Sequence, residues 1–100
     1  MFRLRDLIIS ERQEDHIWDK HRVTMDEVDE ACRSALLVLR GREGGYTVFG
    51  QTTDGRYLAL FVYPRGSDVY SLATARDVTD TERRRIRSMS PVDLYDDDEA

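Results

Sequence analysis

Lys20 and His21 stand side by side, the first place in this chain where proton chemistry is within reach. An imidazole titrates near neutrality and can accept or donate a proton, while the neighbouring ammonium supplies positive charge. The same pair would also suit the end of a helix, where cations complement the negative pole of the helix dipole. The other candidates are arginines: Arg56 after an Asp-Gly turn, Arg76 at the end of an apolar run, and Arg83, Arg84, Arg85 and Arg87 in one basic stretch. A guanidinium is a planar fork of five donors that matches the oxygens of a phosphate or a carboxylate. Charge stabilisation at a phosphate, with a proton acceptor nearby, is the chemistry these residue types could perform. A salt bridge from Arg76 to Asp77, Asp80 or Glu82 would occupy it equally well.

Composition limits the setting for such a site. One hundred residues with 40% apolar content suffice for one domain with one modest core. The longest uncharged apolar segments, Ala35–Leu39 and Tyr57–Tyr63, are strand-sized, so no membrane span is expected. The N-terminal residues lack the pattern of a secretory signal, and a reducing cytoplasm is the expected compartment. Cys32 is the one cysteine, which excludes an internal disulfide and leaves a small helix residue. His16 has no metal-ligand spacing with another His or Cys, and no metal or other cofactor is expected. The net charge of −5 is concentrated at the end: Asp93, Asp96, Asp97, Asp98 and Glu99 supply five negative charges. Residues 1–92 therefore balance fifteen acids against fifteen bases. Residues 91–100 read as an acidic, disordered tail after a domain spanning 1–90.

The elements that must position these residues follow from periodicity and punctuation. Leu4–Ile9 has the length and apolarity of a strand, and Glu11–His21 of a short helix with Ile17 and Trp18 on one face, Trp18 serving as a hydrophobic anchor. Thr24-Met25-Asp26-Glu27 has the form of a capping box opening a helix near 25–33 that buries Met25, Val28 and Cys32. From Ala35 the chain becomes a meander with strands at Ala35–Arg40, Tyr46–Thr52, Arg56–Tyr63 and Val69–Ala75, separated by glycine-bearing turns. In the third of these both alternating sets, Tyr57/Ala59/Phe61/Tyr63 and Leu58/Leu60/Val62, are apolar, which marks a central strand covered on both faces. Strict alternation would put Arg76 on the side of Tyr70, Leu72 and Thr74. A second capping box, Thr79-Asp80-Thr81-Glu82, opens the basic final helix. The order is β-α-α-β-β-β-β-α, an α+β domain with an antiparallel sheet of four to five strands and helices packed on it.

Three segments in this order resemble a known family: His16–Thr24 with Asp26–Ala31 behind it, Gly50–Leu58, and Ala73–Thr79 leading into Glu82 and Arg83. They are similar to the Lys-His-Gly-Val, Gly-x-Thr-x-x-Gly-Arg and Ala-Arg segments of BrnT-type ribonuclease toxins of toxin–antitoxin pairs, over about residues 4–87. The resemblance implies a RelE-like α+β fold, RNA cleavage without a metal, and neutralisation by a BrnA-like ribbon-helix-helix antitoxin, through which any contact with DNA would be indirect. Arg22 stands where that family commonly has glycine, and Ile86 where it commonly has tyrosine in the last helix.

On this reading Lys20, His21, Arg76 and Arg83 are the catalytic candidates and Arg56, Arg84 and Arg87 the RNA-binding ones, although Arg56 also fits the place of an ordinary turn arginine. Tyr57, Phe61 and Tyr63 are expected to pack on the sheet rather than stack bases. The rival expectation is a toxin-derived module that keeps a surface for an antitoxin or regulatory partner and has no turnover.

Overall fold

The computed structural model describes residues 6–88, the side chain of Arg42 excepted. The acidic tail and the boundary set for it at residue 91 lie outside the described residues. The elements run β1 (Asp6–Ile8), α1 (Glu11–His21), α2 (Met25–Arg33), β2 (Ala35–Arg40), β3 (Tyr46–Gln51), β4 (Tyr57–Gly66), β5 (Val69–Asp77) and α3 (Asp80–Ser88). The five strands form one sheet in the order β1-β5-β4-β3-β2. This is the expected sequence of elements, with β4 at the centre. The meander is antiparallel throughout, but β1 joins β5 in parallel. The sheet is therefore mixed: α1 and α2 carry the chain away from β1, and only the last strand of the meander returns beside it.

Each helix starts where a side chain supplies the acceptor that the first turn lacks. Ser10 accepts from the amide of Gln13 at α1. Thr24 and Glu27 form a reciprocal capping box at α2, with bonds of 2.9 and 3.1 Å. Thr79 and Glu82 repeat the arrangement at α3. Substituting such caps costs about 1 kcal/mol each, so these are local anchors as well as boundary marks.

Two apolar clusters sandwich the sheet. On one face Ile17 of α1, Val23, and Val28 and Ala31 of α2 bury Val48, Leu58, Leu60, Val62, Leu72 and Ala75. On the other Leu37, Phe49 and Ala59 are covered by Val78 and by Ile86 of α3. Trp18 does not anchor α1; it is 45% exposed, and the guanidinium of Arg22 stacks on it at 5.0 Å, while Ile17 alone in that helix is buried. Cys32 lies partly buried against the first cluster, its thiol pushed up to about 11 chiefly by burial, which leaves it protonated and unreactive.

Strand lengths and faces depart from simple alternation in two places. β4 continues through Pro64 to Gly66, because β3 ends opposite Val62 and the missing Pro64 amide removes no bond on that side. The turn that follows is made by Ser67 and Asp68, both left-handed. Between β4 and β5 the register shifts after Phe61, so that Thr74 faces Phe61 while Leu72 faces Val62. Ala73 is thus the extra residue of a bulge, which reverses the phase of the strand. Tyr70 and Leu72 point to α1 and α2, whereas Thr74 and Arg76 point to α3, correcting the shared side expected from alternation.

The Gly50–Arg56 segment is built for close approach. A Cβ on Gly50 would overlap the Ala31 carbonyl oxygen and stand 2.6 Å from its carbon, so only glycine lets α2 lie on β3 here. The Thr52 hydroxyl is buried and accepts from the Arg56 amide at 3.0 Å, and Gly55 turns with φ of +94°. Gly50→Ala should lower stability by about 2–3 kcal/mol in urea denaturation, at the upper end for overpacking because the obstructing atoms are backbone. Arg22 ends α1 in the left-handed region, φ 53° and ψ 45°, the conformation glycine adopts freely. Arg22→Gly should therefore be more stable than Arg22→Ala by about 1 kcal/mol, a comparison in which both variants lose the Trp18 contact.

Candidate functional site

The hairpin between β3 and β4 delivers Arg56 into the corner where α1 ends, α2 begins and β5 finishes. Its Nε and Nη2 donate to the two Asp77 carboxylate oxygens at 2.7 and 3.1 Å. Nη1 donates to Glu27 at 3.1 Å and to the Arg22 carbonyl at 2.8 Å, and Nη2 donates also to the His21 carbonyl at 3.0 Å. All five donors of the fork are thereby engaged. The pairing raises the guanidinium pKa, most through Asp77, and lowers that of Asp77, most through Arg56. The geometry gives Arg56 the work of a clamp, with no donor left for a phosphate.

Arg76, one residue before Asp77, faces the other way. It pairs across the sheet with Ala59 and lies over the Phe61 ring at 5.0 Å. Nη1 and Nη2 hold Glu82 in a bidentate pair at 2.8 and 2.9 Å, and Nη1 also reaches the Asp77 carbonyl at 3.0 Å. Among the alternatives open to Arg76, the ion pair is the one with Glu82. The Arg76 fork draws the Glu82 carboxyl down to about 2, partial burial opposes this, and the Thr79 amide adds to it.

Beside this pair, Arg83 lies 4.7 Å above the ring of Tyr57. Asp80, Arg83, Arg84 and Arg87 share one stripe of α3 and line a shallow groove of about 280 Å³. Arg85 is not among its lining residues, and Ile86 points inward to the sheet. Phe61 packs against the second apolar cluster, as expected, and the rings of Tyr57 and Phe61 both seat cations, a function that their spacing on one strand face could have suggested.

Lys20 is exposed at the end of α1, and His21 is half-buried there. The charge of His21 contributes to the lowering of Asp77, which places it with the Arg56 clamp. The structure therefore gathers Arg76, Arg83, Arg84 and Arg87 on the α3 face and Lys20, His21 and Arg56 on the opposite face, at the same end of the sheet. Among the described residues no hydrogen bond or ion pair joins Lys20 or the His21 side chain to Arg76. No group of three or more His, Cys, Asp and Glu side chains among the described residues is arranged to hold a metal ion. No helix of the described residues is long and apolar enough to cross a membrane.

No family model matches the sequence, and no curated protein matches it. A solved structure does: the ribonuclease toxin BrnT of Brucella abortus, with a TM-score of 0.64 and 21% identity, over 75% of this chain and 97% of that one. The fold is that of BrnT. On that fold this chain sets the arginine stripe of α3 on one side of the sheet and the Arg56 clamp on the other.

Glu82 has an ordinary value of 4.5 and a folded value of about 2. Because folding depresses it, its stabilising contribution is complete above about pH 4.5 and is lost as the pH falls towards 2. Denaturant melts between pH 6 and 2 should show that decline in the native chain and a smaller one in Glu82→Gln. A decline of equal size in both would remove the ion pair as its source.

Proposed function

We propose that this chain is a metal-independent endoribonuclease toxin, neutralised by a BrnA-like ribbon-helix-helix antitoxin and acting in the cytoplasm. The observation that carries this reading is the BrnT fold bearing two cationic side chains, Arg76 and Arg83, on aromatic rings beside an arginine groove. Brucella BrnT is a ribonuclease toxin. Cations held over rings on a sheet offer both a charge for phosphate and a flat surface beside it for a base.

In the proposed reaction a base removes the proton of an RNA 2′-hydroxyl, and the resulting oxygen attacks the adjacent phosphorus. The bond to the 5′-oxygen breaks, and that oxygen takes up a proton. Lys20 and His21 are assigned to proton transfer, Arg76 and Arg83 to the charge that gathers on the phosphate, and Arg84 and Arg87 to the flanking backbone. The RNA would cross the end of the sheet, where both groups of residues stand. Arg56 contributes to this scheme by holding the His21 and Arg22 carbonyls, and so the end of α1, rather than by meeting RNA.

A second reading, a toxin-derived binding module without turnover, is favoured by two observations. The two arginines at the sheet end, Arg56 and Arg76, already hold internal carboxylates, and Ile86 is packed into the sheet rather than presented to a substrate.

The test is cleavage of a mixed RNA by the purified native chain in chelator, beside Arg76→Ala and the double variant Lys20→Ala/His21→Ala. The toxin reading expects native cleavage and a loss of about 100-fold or more in each variant with the fold retained, the range for removing a positioned acid, base or charge stabiliser. No cleavage by a folded native chain would transfer the conclusion to the binding module. Cleavage that survives the Lys20/His21 change but not the Arg76 change would confine the chemistry to the α3 face.

A further inference from the structure

We propose that Arg76 is a phosphate seat which Glu82 holds closed, the Glu82 carboxylate occupying in the free protein the place that a phosphate of the ligand takes in the complex. The seat stands on the geometry of this pair. Only the identification of its occupant as an RNA phosphate rests on the proposed function.

Arg56 and Arg76 are both forks paired with the glutamate of a capping box, yet their surroundings differ in a way that decides which one can exchange partners. Arg56 is bound by two carboxylates and two backbone carbonyls from α1, α2 and β5. An incoming anion cannot replace carbonyls of the main chain. Arg76 meets one side chain, Glu82, and one carbonyl, that of Asp77. Its Nε has no protein acceptor among the hydrogen bonds of the described residues. The pair is open to water on both sides, with 29% of the Arg76 side chain and 23% of the Glu82 side chain exposed.

A carboxylate in bidentate contact presents two oxygens to the fork as a phosphate does. While it is there it also cancels the charge an approaching anion would feel, whether that anion comes to the Nη edge or to the free Nε. The Phe61 ring keeps the guanidinium plane in position when the carboxylate leaves. Arg83 stands one position along α3 from Glu82 and is held over Tyr57, where no ion pair of the described residues engages it. Displacing Glu82 therefore frees the Arg76 fork beside a second cation, and the phosphate takes over the charge balance that the carboxylate kept.

The substitution that tests this is Glu82→Gln, because glutamine at the third helical position still accepts the Thr79 amide and keeps the capping box. The native chain, Glu82→Gln and Glu82→Gln/Arg76→Ala are titrated at low salt with inorganic pyrophosphate, following the Arg76 Nε–H resonance where it exists. The same proteins are titrated in chelator with a labelled 2′-O-methyl RNA, which lacks the attacking hydroxyl. Glu82→Gln should bind pyrophosphate about tenfold more tightly than the native chain, the worth of one charge-assisted contact. Its RNA affinity should fall more steeply with salt, by about 0.7 in logarithmic slope for one added phosphate contact. Both gains should vanish when Arg76 is also removed.

Equal or weaker pyrophosphate binding by Glu82→Gln would show that Glu82 orients Arg76 rather than closing it, and would overturn the proposal. So would a gain that persists without Arg76. Tighter pyrophosphate binding with no RNA binding by any variant would keep the seat and reject RNA as its occupant. Should Glu82→Gln be poorly folded, the native chain decides: high pyrophosphate must shift the Glu82 carboxyl resonance together with that of Arg76, and movement of Arg76 alone would overturn the proposal.

Discussion

Five donors on one side chain hold this fold's corner together. Arg56 is placed by a tight hairpin and donates to the carbonyls of His21 and Arg22 at the end of α1, to the capping glutamate of α2 and to the carboxylate at the end of β5. These segments are distant in sequence, and the carbonyls of His21 and Arg22 lie where α1 can no longer satisfy them. A lysine could not serve them all, because its three donors radiate from one point rather than lying in a fork. The glycines and threonine around Arg56 gain their meaning from this task. Gly50 allows α2 onto the sheet, Thr52 receives the Arg56 amide, and Gly55 makes the turn. The Gly-x-Thr-x-x-Gly-Arg segment is consequently an assembly of one clamp and the backbone that aims it.

The same motif of a helix-capping glutamate held by an arginine occurs twice on opposite faces, through Arg56 just before β4 and through Arg76 in β5. Asp77 follows Arg76 in β5, so the end of that strand serves both networks, and the Arg76 fork donates to the Asp77 carbonyl between them. This coupling explains why α1, α2 and α3 all begin or end at one end of the sheet. It also places the exposed cations of α3 and those of α1 within the same region, though the sheet stands between them.

Much of the architecture was legible because local signals and tertiary structure agree. Both capping boxes, the Asp-Gly turn and the doubly apolar Tyr57–Tyr63 run correspond to the helix starts, the hairpin and the central strand that are found. The face of Arg76 was not legible, because the bulge at Ala73 leaves no mark in a run of small and β-forming residues. A single extra residue there moves the arginine from the α1 side to the α3 side. The position of Trp18 was misread for a different reason: an aromatic next to Ile17 on a short helix can face either way, and the left-handed Arg22 supplies it with a cation outside the core. The duties of Arg56 could have been inferred from Glu27 and Asp77 only if their proximity had been known, since nothing in spacing links residues 27, 56 and 77.

What separates the two faces is the permanence of their contacts. On the α1/α2 face the core is thick and includes Ile17, Val23, Leu58 and Leu60, all fully buried. On the other face α3 buries no residue completely and is attached through the half-buried Ile86, with Val78 before it and the Glu82–Arg76 pair at its first turn. An element with few buried apolar atoms belongs to the low-stability end of a fold, where opening is least costly. That is where recognition needs to rearrange side chains. Packing Ile86 against Ala59 and Phe49 holds α3 close enough for Arg83 to reach Tyr57, while leaving its arginine stripe in water. The rigid face thus maintains the sheet end, and the lightly held helix presents the charges, so the clamp at Arg56 and the exchangeable pair at Arg76 have opposite requirements met by opposite faces of one sheet.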